Sequence, residues 1–175
     1  MKIAVVCANG KVGKLVVKEA MKRGLDVTAI VRGENKSLAE HTIIKDLFDL
    51  KKSDLDSFDT VVDAFGTWNP ESLTQHSTSL KKLCDLLSGT NKRLIVVGGA
   101  GSLYVNPEHT LQLMDTPDFP DMFKPLASNM GKALEELRSR DDVRWTYISP
   151  AGDFRADGEK LSLIHILTLP TNSLV

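Results

Sequence analysis

Residues 1–24 read MKIAVVCANGKVGKLVVKEAMKRG. Ile3 to Cys7 form a short apolar run with the composition of a buried strand. A glycine-bearing turn follows. Beyond it Val12, Leu15, Val16, Ala20 and Met21 are expected on one helix face and Lys14, Lys18 and Lys22 on the other, with Gly24 as the stop. Strand, glycine turn and amphipathic helix together open a parallel α/β sheet. Such a turn can also hold a pyrophosphate, because a helix N-terminus offers backbone N–H groups and partial positive charge.

The spacing Cys7, Gly10, Gly13 is the G-x-x-G-x-x-G arrangement with its first member replaced. Gly10 would allow phosphate oxygens close to the backbone, and Gly13 would let the helix pack tightly on the strand. Asn9 tolerates left-handed backbone angles and can brace the turn, while Lys11 adds a cation at its mouth. The candidate phosphate-binding stretch is therefore Ala8, Asn9, Gly10, Lys11, Val12 and Gly13. Cys7 is small enough to act as a compact hydrophobe at the end of a buried strand, so its presence is expected to be tolerated. Against this stands a plain strand-to-helix turn whose glycines serve geometry alone. Placement after a strand and at the start of a helix favours the dinucleotide reading.

Outward from this unit, β-rich apolar runs recur at KIAVVC, DVTAIV, HTIIK, DTVVDAF, RLIVVGG and RWTYIS. Helical spacing lies between several of them, in PESLTQHSTSLKKLCDLLSG and LASNMGKALEELRSR. Nearly continuous apolar strands separated by helices predict a doubly wound parallel sheet covered on both faces, an α/β Rossmann-like fold. The 175 residues suffice for a single domain. Residues 104–125, YVNPEHTLQLMDTPDFPDMFKP, form a long proline-punctuated connection, either a surface excursion or a lid over substrate.

About twenty residues past the glycines, an NAD site usually carries an acidic residue for the ribose hydroxyl. This chain has IVRGENK there, which places Arg32, with Lys36 nearby, to pair with a 2′-phosphate. The expectation is NADP(H) in preference to NAD(H). The competing reading makes Arg32 a solvated arginine beside Glu34.

Composition narrows the partners. A net charge of −1 with interspersed basic and acidic residues gives no nucleic-acid footprint. No apolar run approaches a membrane span or a signal-peptide core. Cys7 and Cys84 lack disulfide-framework or zinc spacing and the four histidines are scattered, so no metal site is expected and the cytoplasm is the expected compartment.

The segment from Leu161 to Val175, LSLIHILTLPTNSLV, carries no charged side chain and fits no helix face. LSLIHI matches translation of CTG-TCT-CTT-ATA-CAC-ATC, a transposon mosaic end used in sequencing libraries. LTLPT follows from the adjoining adapter after a one-base insertion. Residues 1–160 are thus expected to form the NAD(P)-binding domain, and residues 161–175 an adapter-derived tail on a chain truncated at its C-terminus. The alternative is a genuine hydrophobic terminal strand.

The stretches IAVVCANGKVG, VTAIVRG, IIKDLFDL, VVDAFG, RLIVVGGAGSL, DTPDFP and WTYISPAGDF resemble the atypical short-chain dehydrogenase/reductase-like proteins that bind NAD(P)H. Within that family the chain is most similar to the group described as NADH-flavin reductases, related to NmrA-like and biliverdin/flavin reductase-like proteins. The resemblance runs from Met1 to about Glu159. It implies that Asp46 and Leu47 lie near the adenine and Ala64, Phe65 and Gly66 along the ribose and pyrophosphate. Gly98 and Gly99 would lie beside the nicotinamide, and Pro150 and Ala151 at the end of the sixth strand.

One departure bears on the chemistry. Where the superfamily carries Tyr-x-x-x-Lys, this chain has Ser128 and Lys132. A serine hydroxyl is far less acidic than a phenol, which disfavours carbonyl reduction or sugar epimerisation by that route. Ser102 matches the family's catalytic serine loosely, with a backbone-bonding strand-end serine as the equal alternative. Hydride transfer from the nicotinamide to a flavin (FMN or FAD), a quinone or a similar planar acceptor needs no such acid. The implied activity is an NAD(P)H-dependent oxidoreductase with a small-molecule substrate. Its alternative is a non-enzymatic NmrA-like NADP-binding redox sensor acting through a protein partner. Relatives of this kind often form homodimers through helices, and nothing in the sequence fixes the oligomeric state.

Overall fold

The computed structural model describes residues 1–152. The segment read as adapter-derived, Leu161–Val175, lies outside the described residues. Six strands form one sheet: β1 (Lys2–Val6), β2 (Asp26–Val31), β3 (His41–Ile44), β4 (Thr60–Asp63), β5 (Arg93–Val97) and β6 (Arg144–Ile148). Every pairing is parallel and the order is β3-β2-β1-β4-β5-β6. The chain therefore builds outward from β1 and then crosses back to β4. In an open α/β sheet, that reversal leaves a crevice at the carboxyl ends of the central strands. Val6 is in register with Ile30 on one side and Asp63 on the other, so β1, β2 and β4 reach the crevice side by side.

Among the described residues four α-helices accompany the sheet: α1 (Lys11–Lys22), α2 (Lys52–Leu55), α3 (Gln75–Leu87) and α4 (Lys124–Arg138). Alternation along the strands divides the core in two. Ala4, Val6, Ile30, Val61, Leu94 and Val96 face one layer with Leu80, Leu83, Leu87, Ala133 and Leu137 of α3 and α4. Ile3, Val5, Val27, Ala29, Val31 and Val62 face the opposite layer with Val17 and Ala20 of α1. Leu83 and Leu137 are fully enclosed, and truncating either to alanine would cost about 2–5 kcal/mol.

The buried face of α1 differs from the expected one. Gly13, Val17 and Ala20 are buried, Val16 and Met21 pack at the margin, and Leu15 is exposed. The spacing of four and three residues puts Gly13, Val17 and Ala20 on one stripe, centred on the residue with no side chain. A Cβ at Gly13 would stand 2.5 Å from the Cys7 carbonyl oxygen and 2.8 Å from Ala8 Cα, so only glycine lets α1 lie this close. The expected helix from Pro70 begins with a 3-10 turn, Pro70–Ser72, before α3. Gly24 and Gly89, the expected helix stops, both have positive φ.

The long connection between β5 and α4 is folded back on itself. Tyr104 bridges to Gln112, 3-10 turns occupy Leu113–Asp115 and Asp121–Phe123, and Met114 packs beside Gly101 and Gly131. Phe123 meets Trp68 of the β4–α3 connection edge to face, with ring centroids 5.7 Å apart.

Candidate functional site

A cleft of about 470 Å³ opens at the carboxyl ends of β1, β2 and β4. Of the residues singled out in the sequence, Asn9, Gly10, Arg32, Asp46, Leu47, Ala64, Phe65 and Gly66 line it together. Ala8 is fully buried beneath the turn, and Gly13 is enclosed where α1 meets it. Lys11 is exposed and Val12 half-buried at the start of α1. Gly98 instead lines a separate small cavity between the sheet and the helices α3 and α4. Gly99, Ser102, Pro150 and Ala151 line neither, and Ser102 is buried in the 3-10 turn Ala100–Ser102. Ser128 and Lys132 are exposed on α4.

Cys7 carries the turn. Its φ is 58°, the left-handed angle that a glycine would supply at the first position of the motif. Its carbonyl accepts the Gly10 N–H at 2.9 Å, closing the turn just ahead of α1. Burial pushes the Cys7 thiol up to about 12, with the Asp63 carboxyl adding to the shift. The side chain is thus a neutral packing group, set against the core that contains Val6 and Leu80.

Gly10 stands at the N-cap of α1, with no side chain capping the helix and no acidic residue in its first turn. Its leading N–H groups are left for an anion, and the exposed Lys11 and Lys14 reinforce the field there. Asn9 braces this turn, though against another loop. Its Nδ2 donates to the Glu34 carbonyl at 2.8 Å and its Oδ1 accepts the Lys36 N–H at 2.7 Å. That loop carries Arg32, which is exposed toward the cleft and has no ion-pair partner among the described residues. Arg32 and Glu34 are both exposed and form no ion pair with each other.

The floor beyond β3 is fixed by two carboxylates. Asp46 accepts the Phe48 N–H at 2.9 Å and caps the 3-10 turn Leu47–Asp49, presenting Leu47 and Phe48 to the cleft. Lys45, also in the cleft wall, holds Asp54 at 2.7 Å, which keeps that carboxyl below its ordinary value. Lys45, Phe48 and Gln75 escaped the sequence reading because nothing in their spacing distinguishes them from surface residues. Asp63 was detectable: it is a lone carboxylate closing a buried apolar strand.

An uncapped helix N-terminus, a glycine turn with no room for a Cβ, and a cleft continuing past an unpaired arginine fit a dinucleotide. The comparisons agree. The NAD(P)H-binding family matches residues 7–164, and the chain belongs to it. An uncharacterized protein, YwnB, of Bacillus subtilis (strain 168) is 44% identical over 163 residues, spanning 91% of this chain and 76% of its own. A crystal structure from Streptococcus pneumoniae TIGR4, named as a candidate NADH-flavin reductase, is 55% identical with a TM-score of 0.89. That match covers 91% of this chain and 76% of the other. A short-chain dehydrogenase/reductase superfamily protein from Agrobacterium tumefaciens, crystallised with NAD, shares the fold at 19% identity and a TM-score of 0.60. It is covered over 85% of this chain and 48% of its own. Among the described residues no helix is long and apolar enough to cross a membrane, and no cluster of His, Cys, Asp and Glu could hold a metal ion.

Proposed function

We propose that this chain is an NADPH-dependent reductase that passes hydride to a flavin, a quinone or a similar planar acceptor. The observation that carries the reading is the cleft at the β1/β4 reversal, bounded by the uncapped start of α1 and by the unpaired Arg32. The name of the Streptococcus pneumoniae relative supports the acceptor class. In this reading the α1 N-terminus and Gly10 take the pyrophosphate, Arg32 and Lys36 take the 2′-phosphate, and Leu47 and Phe48 flank the adenine. The bound cofactor supplies the hydride. The chain's task is to orient it, and solvent delivers the proton to the reduced acceptor. Exposed Ser128 and Lys132 have no part in that step.

Titration of NADPH and NADH into the purified chain, followed by nicotinamide fluorescence, tests cofactor binding. NADPH oxidation is then measured with FMN, FAD and soluble quinones. The expected result is tighter binding of NADPH and turnover with at least one acceptor. Binding without turnover by any of them would replace this reading with the redox sensor, and no binding by a folded chain would overturn both.

A further inference from the structure

Beneath the ends of β4, β5 and β6 lies a second cavity of about 20 Å³, room for a single water molecule. Its polar lining is unusual for the interior of a sheet: Asp63 from β4, His76 and Ser79 from α3, and Tyr147 from β6. Asp63 is 4% exposed. One carboxyl oxygen accepts the Phe65 N–H at 2.9 Å, and the other has no protein partner among the described residues. Tyr147 accepts the Gly99 N–H on its phenol oxygen at 3.3 Å, with its ring laid against Gly98. A Cβ at Gly98 would come within 2.1 Å of two ring carbons, so glycine and ring occupy one another's space.

These two hydrogen bonds reach two strand-end loops: Ala64–Gly66, which lines the large cleft, and Gly98–Gly99, which the family resemblance sets beside the nicotinamide; the inference rests on the reductase reading above. Phe65 belongs to the Ala64–Gly66 loop in the cleft wall, and Gly99 begins the turn that carries Ser102. We propose that Asp63 and Tyr147 are positioning residues that set the β4 and β5 loops for the cofactor from one shared buried cavity. Neither side chain lines the large cleft, so each acts through a backbone N–H and not by touching the ligand. His76 supports the same arrangement: its Nε2 lies 3.2 Å from the Thr67 carbonyl, and its ring meets Phe65 edge to face.

The test separates positioning from folding. Asp63→Asn keeps an acceptor for Phe65, whereas Asp63→Val keeps the shape and removes it, along with a costly buried carboxyl. Tyr147→Phe keeps the ring on Gly98 and loses the acceptor for Gly99. Expected is NADPH affinity near that of the parent chain for Asp63→Asn, and roughly 3- to 10-fold weaker for Asp63→Val and Tyr147→Phe, with the thermal midpoint held or raised in Asp63→Val. The KM for the acceptor should stay unchanged throughout. In amide NMR spectra of the chain without nucleotide, the Phe65 signal should move in Asp63→Val and the Gly99 signal in Tyr147→Phe. Equal affinity for all three variants, or an equal loss in Asp63→Asn and Asp63→Val, would overturn the proposal. Static Phe65 and Gly99 signals would do so even if the parent chain bound no nucleotide, which keeps this failure distinct from failure of the reductase reading.

Discussion

Asn9 holds Lys36: its Oδ1 accepts the Lys36 backbone N–H at 2.7 Å while its Nδ2 donates to the Glu34 carbonyl. One side chain thereby ties the glycine turn before α1 to the loop that carries Arg32. Asn9→Ala removes both bonds at a partly exposed site, at a cost to stability of about 1 kcal/mol. NADPH affinity should fall about 3- to 10-fold, because the two loops lose their fixed spacing. Asn9→Asp should be worse for binding, since it keeps the acceptor but faces the Glu34 carbonyl and the pyrophosphate with negative charge. Fluorescence titration of both variants, with urea unfolding as a control, checks the order.

Cys7 holds a left-handed φ that costs an L-residue about 1–2 kcal/mol. Cys7→Gly removes that cost and gives up the thiol's packing against the core, so its stability should lie within about 1 kcal/mol of the parent chain. Cys7→Val places a β-branched side chain at the same angle and should lose more than about 2 kcal/mol. NADPH binding should survive in the glycine variant. With its pKa up at about 12, the parent thiol should also resist iodoacetamide at neutral pH. Urea midpoints ranking valine at or above glycine would refute this account of the turn.

The architecture was legible because the central strands β1, β2, β4 and β5 are nearly continuous apolar runs and Gly10, Gly13, Gly24 and Gly89 mark the turns locally. The motif spacing marks Cys7 as the residue standing at the first glycine position, but the left-handed angle, which the sequence suggests for Asn9, is taken by Cys7. What stayed hidden was contact between distant residues. Asn9 could be read as a turn residue, but not as the partner of Glu34 and Lys36, which lie 25 and 27 positions away. The face of α1 was misjudged for a related reason. Apolar count favoured Leu15, whereas close approach is set by Gly13, which adds nothing to an apolar count.

Arg32 has no ion pair among the described residues and lines the cleft, so its charge is free for a ligand. Arg32→Glu should lower NADPH affinity by about 10- to 100-fold, the range for losing charge-assisted hydrogen bonds to a phosphate. NADH affinity should hold or rise, because the new carboxylate can accept the ribose hydroxyl as the acidic residue of an NAD site does. An NADPH-to-NADH affinity ratio left unchanged by this substitution would remove Arg32 from the site.

Asp63 gives the chain a pH dependence with a definite sign. Burial raises its carboxyl from 3.8 to about 6, against the opposing pull of the Phe65 N–H. Between those values the folded state keeps a proton that the unfolded state has released, so this contribution to stability falls as pH rises through the window. At about 1.4 kcal/mol per pH unit, the loss is on the order of a few kcal/mol, complete near neutrality. The titratable groups around it are Cys7 after β1, His76 and Cys84 on α3, and Tyr147 on β6. Burial raises both thiols and the phenol and keeps them neutral here, while it lowers His76 below its ordinary value. Comparison with Asp63→Asn cancels His76 and the exposed carboxylates that acid destabilises through Lys45, Lys81 and Arg140. Urea unfolding at pH 4, 5, 6 and 7 should show the variant gaining on the parent chain across the window and the gap then levelling. A gap that stayed constant from pH 4 to 7 would mean that Asp63 is solvated or ion-paired in the folded protein.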